Sequence, residues 1–416
     1  MWGIALTGQR SAGRGECTMT VTVIGIGSQT VPSAGRKALE SAELVVGGRR
    51  HLDSFAPRGV STMELGALDP ALDALKGYVE CEKQAVVLAS GDPGYFGILR
   101  AMRAAGITAR VVPSVSSVAR LAALIGRPWD DVTVVSAHGR DLGPALNLCR
   151  ARRAVAVLTA PGAGPTEIGA GLAGWRRTLI VGESLGTKMQ RVSTVEPQQA
   201  ANRLWQEPNV LLCLASDRDP PQKGWLAGGE PSPPRRGWAL AEAEFAHRDG
   251  MVTKSEVRAL ALARLAPRPG SLIWDVGAGS GSVGVECARL GAAVIAVERD
   301  PGQCVRIIAN ASSHEVDIRT VDAAAPDALR GLPTPDAIFV GGGGERVISA
   351  CAGVGARRVV VALAGIDGVP AARDALRDNG YSVDGVSLSA SRMADLPSGA
   401  SRLLAANPVF LLWGSV

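Results

Sequence analysis

From Thr20 onward, short β-branched apolar runs alternate with stretches whose apolar residues recur at helical spacing, the alternation of parallel strands and crossover helices. The first half predicts strands at Val21–Ile26, Ala85–Ala89, Ala109–Val112, Val132–Ser136, Ala154–Leu158, Thr178–Gly182 and Val210–Leu214. Between them, Ser33–Ala42, Asp69–Glu82 and Ser114–Leu124 carry helical periodicity. The series stops at Asp217–Trp238, which holds five prolines and no period and predicts a linker over 217–239. A second series opens at Thr253. Thr253 and Glu256 form a T-x-x-E capping box before the amphipathic run Val257–Leu265, which Pro267 stops. Strands follow at Ser271–Val276, Ala293–Glu298, Val316–Val321, Ala337–Val340 and Arg358–Leu363, with a closing pair at Ser382–Leu388 and Val409–Trp413. The pattern predicts an α/β chain with domains at 19–216 and 240–416, the second a doubly wound sheet, with no motif repeated at a fixed offset between them. Residues 1–18 show no period, and they are expected to be a disordered extension or an upstream start before Met19.

Composition changes this picture little. At about 150 residues per domain, 416 residues suit two or three domains. Apolar residues at 46% and charged residues at 20% support real cores, and 51 glycines and 25 prolines without a period suit many strand-to-helix turns. The net charge of +5 lacks the basic blocks of nucleic-acid tails. Seven scattered cysteines with no C-x-x-C pair argue against disulfides or a zinc knuckle, and four isolated histidines predict no metal. No apolar run approaches the ~18 residues of a membrane span, so a cytoplasmic protein is expected.

The strongest chemical signal is Asp275-Val276-Gly277-Ala278-Gly279-Ser280-Gly281, at the end of a predicted strand and the start of a predicted helix. Glycines there let a ligand approach the backbone, and the helix start offers unpaired N–H groups. Gly279, Gly281 and Gly284 also satisfy the dinucleotide fingerprint, and Glu298, 21 residues beyond Gly277, is placed to accept ribose hydroxyls. Nicotinamide cofactors and S-adenosylmethionine both fit so far. Asp275 decides for the latter, because an acid two residues before the first glycine suits an aminoacyl ammonium and repels a pyrophosphate. In the first half, Gly91-Asp92-Pro93-Gly94 follows an apolar strand but is ordinary turn chemistry. Pro113-Ser114-Val115-Ser116-Ser117 fits a serine-capped helix start as well as a ligand loop. The run Gly182 to Lys188 lacks phosphate-loop spacing, which excludes a kinase or ATPase. Arg49, Arg50, His51, Lys254, Arg258, Arg392 and Arg402 are basic groups near turns, each more in keeping with a solvated or dipole-paired charge.

These motifs carry a resemblance. Gly25-Ile26-Gly27, the stretch Gly47 to Leu52, Ser90 to Gly97, Pro113 to Ser117 and Arg127 to Arg140 resemble the tetrapyrrole methylase family. Met251 to Ala259, the loop from Asp275, Ala296 to Arg299, Asp336 to Gly344 and Leu396 to Gly414 are similar to class I methyltransferases acting on C15 of precorrins. Together they resemble the fused methylases of aerobic cobalamin biosynthesis over nearly all the chain from Thr20. The resemblance implies a tetrapyrrole methylase fold followed by a class I, Rossmann-like fold. It implies methylation of C5 by the first domain, and methylation of C15 with decarboxylation of the C12 acetate by the second. S-adenosylmethionine would bind once per domain, lined by Gly91, Asp92, Ser116 and Ser117 in the first and by Thr253, Asp275, Gly277, Ala278, Gly279, Ser280, Gly281, Glu298 and Ala323 in the second. Val321-Asp322-Ala323-Ala324 departs from the usual adenine-side pattern. Lys254 and Arg392 are the expected anchors for substrate carboxylates, and a homo-oligomer is implied.

Three other readings compete. An RNA methyltransferase shares these folds, but the chain has no basic run and only 4% aromatic residues for base stacking. A non-catalytic S-adenosylmethionine sensor would bind without turnover. A dehydrogenase is disfavoured by Asp275.

Overall fold

The computed structural model describes residues 20–27, 29–66, 68–215, 227–228, 237–248 and 250–416. The extension expected over 1–18 and most of the linker expected over 217–239 lie outside them. Two compact units form: one comprises residues through Arg127 with Gly182–Arg191, the other Pro128–Val181 with Val192–Val416.

In the first unit, β1 (Val21–Ile26), β2 (Leu44–Gly47), β3 (Ser61–Glu64), β4 (Ala85–Ser90) and β5 (Ala109–Val112) make a sheet of order β3-β2-β4-β1-β5. All its pairings are parallel. The three inner strands are continuous apolar runs, as parallel strands covered on both faces must be, and β1 is buried along its whole length. Ile26 pairs with Ser90, so the loops after β1 and β4 leave the sheet side by side, with the loop after β5 on β1's other flank.

A second sheet joins β6 (Thr133–Ser136), β7 (Ala154–Leu158), β8 (Arg177–Glu183), β9 (Arg191–Val195) and β10 (Asn209–Ala215) in the order β6-β7-β10-β8-β9. The third joins β11 (Leu272–Val276), β12 (Ala293–Glu298), β13 (Arg319–Asp322), β14 (Ala337–Val340), β15 (Arg358–Leu363), β16 (Ser382–Leu388) and β19 (Val409–Ser415) in the order β13-β12-β11-β14-β15-β19-β16. The five strands from β11 to β15 are parallel, and β19 runs antiparallel between β15 and β16. This is the expected doubly wound sheet, and its order reverses at β11, between β12 and β14. The strands β17 (Ser391–Asp395) and β18 (Ser401–Ala405) form a separate hairpin that the alternation did not predict.

Within the second unit, the second sheet's segment shares a core with the third. Trp175 is buried with Trp274, Ile295 and Ile338. Around it, Arg177 pairs with Asp317 at 3.1 Å, Arg153 with Glu315 at 2.7 Å, and the Asn147 amide donates to Gly270 O at 3.0 Å. The sequence boundary at 217–239 therefore does not separate the compact units.

The expected capping box is not made. Helix Ser255–Leu265 has Lys254 at its N-cap with no side-chain cap; Glu242 Oε1 instead accepts from Ser255 N at 2.8 Å. Arg258 is not a solvated charge either. It and Glu286 are fully buried, paired at 2.7 Å, and Arg258 also donates to the carbonyls of Thr253 and Leu240. Among the described residues no helix is long and apolar enough to cross a membrane, and the six described cysteines are free, Cys17 lying outside them.

Candidate functional site

In the third sheet, β11 delivers its chain to the reversal point as the loop Gly277–Gly281. Gly277, Gly279 and Gly281 hold φ of +67°, +56° and +73°, a region costly for side-chained residues. A Cβ on Gly277 would lie 2.9 Å from Gly342 N, so only glycine lets the loop after β14 rest against it. Gly279 faces open space, with nothing within 4 Å of a Cβ built there, and its N–H donates to Glu298 Oε2 at 2.9 Å. Glu298 Oε1 accepts from Arg299 N at 2.8 Å and Asp300 N at 3.0 Å, and its carbonyl accepts from Ala323 N at 3.0 Å. The fold thus gathers Gly277 to Gly281, Glu298 and Ala323 at the carboxyl ends of three adjacent strands, where doubly wound sheets place ligands.

Asp275 has a different position from the one its charge argument assumed. It is 1% exposed, with Oδ2 accepting from Gly284 N at 2.8 Å and Oδ1 without a hydrogen-bond partner among the described residues. Burial pushes its carboxyl up to about 7, with Glu298 adding to the rise and the Gly284 bond opposing it. A carboxyl buried beneath the loop and half protonated near neutrality does not choose between an ammonium and a pyrophosphate above it.

Thr253 engages its carbonyl with Arg258 and makes no hydrogen bond to the glycine loop among the described residues. Lys254 is half-buried at the helix start. Arg392, expected as a substrate anchor, is clamped instead: its guanidinium reaches Glu242 at 2.7 and 2.8 Å and Glu256 at 2.7 and 3.1 Å, tying the β17–β18 hairpin to helix Ser255–Leu265. Those hydrogen bonds hold the Glu242 carboxyl down at about 2.

Asn310 was not singled out from the sequence. It is 2% exposed, and its Nδ2 donates to Ser280 O in the glycine loop at 2.8 Å and to Ala246 O at 3.0 Å, while Oδ1 accepts from Ala246 N at 2.7 Å. The signal was present, since Asn310 shares helix Pro301–Ser313's buried face with Gln303, Cys304 and Ile307.

The first unit brings its expected residues together too. Gly91, at φ +65°, donates its N–H to Ile26 O at 2.9 Å, and a Cβ on it would lie 3.7 Å from Ser116 Cα and Ser117 N. Asp92 Oδ1 accepts from Gly94 N at 2.8 Å, an Asx turn, and Ser116 Oγ caps helix Ser117–Leu124 by accepting from Ala119 N at 3.1 Å. These two side chains shape loops, and Gly91, at positive φ, packs against the start of that helix. In the stretch after β2, His51 is buried and its imidazole is pulled down to about 4, by burial and then by Arg50.

Glycine loops thus stand at the carboxyl ends of two parallel sheets, and the comparisons say which family such a chain belongs to. Residues 20–201 match the model of the tetrapyrrole (corrin/porphyrin) methylases, and residues 243–374 that of the precorrin methyltransferase domain. A Sinorhizobium precorrin-6Y C(5,15)-methyltransferase (decarboxylating) is 36% identical over 345 residues, covering 78% of this chain and 79% of that protein. The chain belongs to the precorrin-6Y C5,15-methyltransferase (decarboxylating) family. Single-reaction relatives match parts of it. A Salmonella typhimurium cobalt-precorrin-7 C(5)-methyltransferase is 32% identical over 204 residues, 47% of this chain and 98% of that one. A probable cobalt-precorrin-6B C(15)-methyltransferase (decarboxylating) from Pyrobaculum calidifontis is 33% identical over 170 residues, 39% of this chain and 87% of that one. The family is one of methyltransferase enzymes with a tetrapyrrole methylase domain and a C-terminal methyltransferase domain, and that class implies S-adenosylmethionine as donor.

Proposed function

We propose that the chain methylates a precorrin-6 macrocycle at C5 in its first half and at C15 in its second, where it also removes the C12 acetate carboxyl, giving a precorrin-8. One S-adenosylmethionine binds in each half. The observation that carries this reading is the pair of glycine loops at the carboxyl ends of two parallel sheets, one after β1, β4 and β5 and the other after β11, β12 and β13, in a chain whose parts resemble two single-reaction methylases.

The residues present fit such a donor. The open face over Gly279 admits a ligand against bare backbone, and Glu298 stands beside it as a carboxylate able to take ribose hydroxyls. Bound donor supplies an activated sulfonium methyl, so the chain's own work is positional. Gly277 to Gly281, held by Asn310 from below and Glu298 from the side, fix where the donor lies. Ala323, on the carbonyl of Glu298, borders the adenine side. In the first half, Gly91 packs on Ser116 and Ser117, and with Asp92 these residues would line the donor. Holding donor and acceptor carbon ~3–3.5 Å apart and in line supplies several kcal/mol of the barrier lowering. Decarboxylation needs an electron sink beside the acetate, and the conjugated macrocycle is one.

The test is incubation of the purified chain with a reduced precorrin-6 and labelled donor. Gain of two methyl groups with loss of carbon dioxide supports the reading. S-adenosylhomocysteine release without macrocycle, or donor binding with no turnover, overturns it.

A further inference from the structure

Arg120 lies in helix Ser117–Leu124, directly after the loop that follows β5. Its backbone N–H bonds to Ser116 O at 3.0 Å, as helix requires, but its guanidinium makes no hydrogen bond or ion pair among the described residues. This stands out in a chain whose other inward arginines, Arg150, Arg177 and Arg258, are each committed to carbonyls or carboxylates.

The setting explains where the charge is directed. A Cβ on Gly27 would lie 3.3 Å from Arg120 Nη2, and one on Gly186 would lie 3.3 Å from Arg120 Cζ. Two glycines therefore border the guanidinium, where any side chain would crowd it. Gly186 itself packs on Gly27, for a Cβ there would come within 2.5 Å of Gly27 O. Close to that same Cβ position on Gly27 stands the Ser114 hydroxyl, 2.3 Å away. Gly27 directly follows β1, which lies between β4 and β5, so Arg120 and Ser114 stand at the carboxyl end of the first sheet.

From this geometry we infer that Arg120 binds a carboxylate at the C5-methylating site, with the Ser114 hydroxyl as second donor. The inference rests on the functional reading above. A guanidinium presents paired N–H donors in a fixed fork that matches a carboxylate bidentately. The first half's reactants carry that group in two places, on the macrocycle's acetate and propionate side chains and on the aminoacyl end of the donor. Either carboxylate would give a half-buried cation, without a partner among the described residues, an ion pair.

Product-resolved kinetics on the full chain distinguish these sources, with C15 methylation and the thermal transition of each variant as controls of folding. Should the carboxylate be the macrocycle's, Arg120→Gln raises the macrocycle KM for C5 methylation about tenfold to a hundredfold, with the donor KM nearly unchanged. If it is the donor's, Arg120→Gln raises the inhibition constant of S-adenosylhomocysteine for C5 methylation by a similar factor. 5′-Methylthioadenosine, which lacks the carboxylate, inhibits as before. In both cases Arg120→Lys, a point charge without the fork, falls between wild type and Arg120→Gln. A folded Arg120→Gln chain whose KM values and inhibition constants all stay within about twofold overturns the assignment, as does a loss confined to kcat. A wild-type chain that methylates no macrocycle carbon overturns the functional reading, and this inference with it.

Discussion

Glu298 accepts three backbone N–H groups, one from the glycine loop and two from the turn after β12. Its carboxylate thus shapes the loop, and in the function proposed above it would also face the donor. Glu298→Ala should weaken donor binding in the second half by ~1–3 kcal/mol, the cost of a lost charge-assisted hydrogen bond, and Glu298→Gln by less. C5 methylation should survive both; calorimetric binding with product analysis checks this, and equal loss of both methylations would mean the sites are coupled. Asp275 allows a test of burial itself. Its folded pKa of about 7 lies above its ordinary 3.8, so the folded state holds a proton that the unfolded chain releases. Wild-type stability should consequently fall as pH rises from about 4 to about 7. Asp275→Asn keeps an acceptor for Gly284 N and should remove that slope; denaturant unfolding of both chains at several pH values measures the difference. In the sequence, the type of these residues was legible and their facing was not. Asp275 sits in an inward position of a fully buried strand, so its carboxyl goes under the helix and not over the loop.

At the scale of elements, charge pairs of one chemistry differ in worth. Arg258 and Glu286 are fully buried and join residues 239–253 to helices Ser255–Leu265 and Ser282–Arg289, with Ala239 and Leu240 N–H groups also on Glu286. Removing one partner strands the other, so Arg258→Met should cost about 3–5 kcal/mol, and the double variant with Glu286→Leu should recover part of it, read from urea unfolding. Arg392 and Glu256 are 41% and 42% exposed, and Arg392→Met should cost about 1 kcal/mol or less. The Glu242 share of that clamp is present above about pH 4.5 and lost as pH falls toward 2. Long apolar strands such as Val21–Ile26 and Ala293–Glu298 could be read directly, because burial on both faces demands continuous hydrophobicity. Ser61–Glu64 and the hairpin strand Ser401–Ala405 could not, being short and largely exposed, with no burial to impress a period on them.

For the whole molecule, the question is where the chain can be cut. A proline-rich segment predicted fragments 19–216 and 240–416 that each fold and bind donor. We keep that proposal with one change. The second fragment loses Trp175 from its core and the partners of Asp317 and Glu315, so it should melt below a fragment beginning at Pro128. Calorimetric melts of 240–416 and 128–416 decide; equal stability would mean that the Trp175 contact contributes little. On the proposed function, in which one glycine loop would present the donor to that edge of the ring, the C15 methylation and the decarboxylation should stay together in whichever fragment folds, and a fragment that methylates C15 without releasing carbon dioxide would break the one-site account.

The sequence by itself determined the α/β alternation, the doubly wound third sheet, the two glycine loops and, through its ordered motifs, the family. Those are local properties: period, turn chemistry and spacing are set by neighbours along the chain. Only the tertiary structure decided that Asp275 is buried, that Arg392 clamps a hairpin, that Asn310 supports the glycine loop and that Arg120 has no partner among the described residues where two glycines border it. Each of these depends on what residues far away in sequence place next to a side chain. Desolvation and pairing, which settle what a charge can do, exist only once those neighbours have arrived.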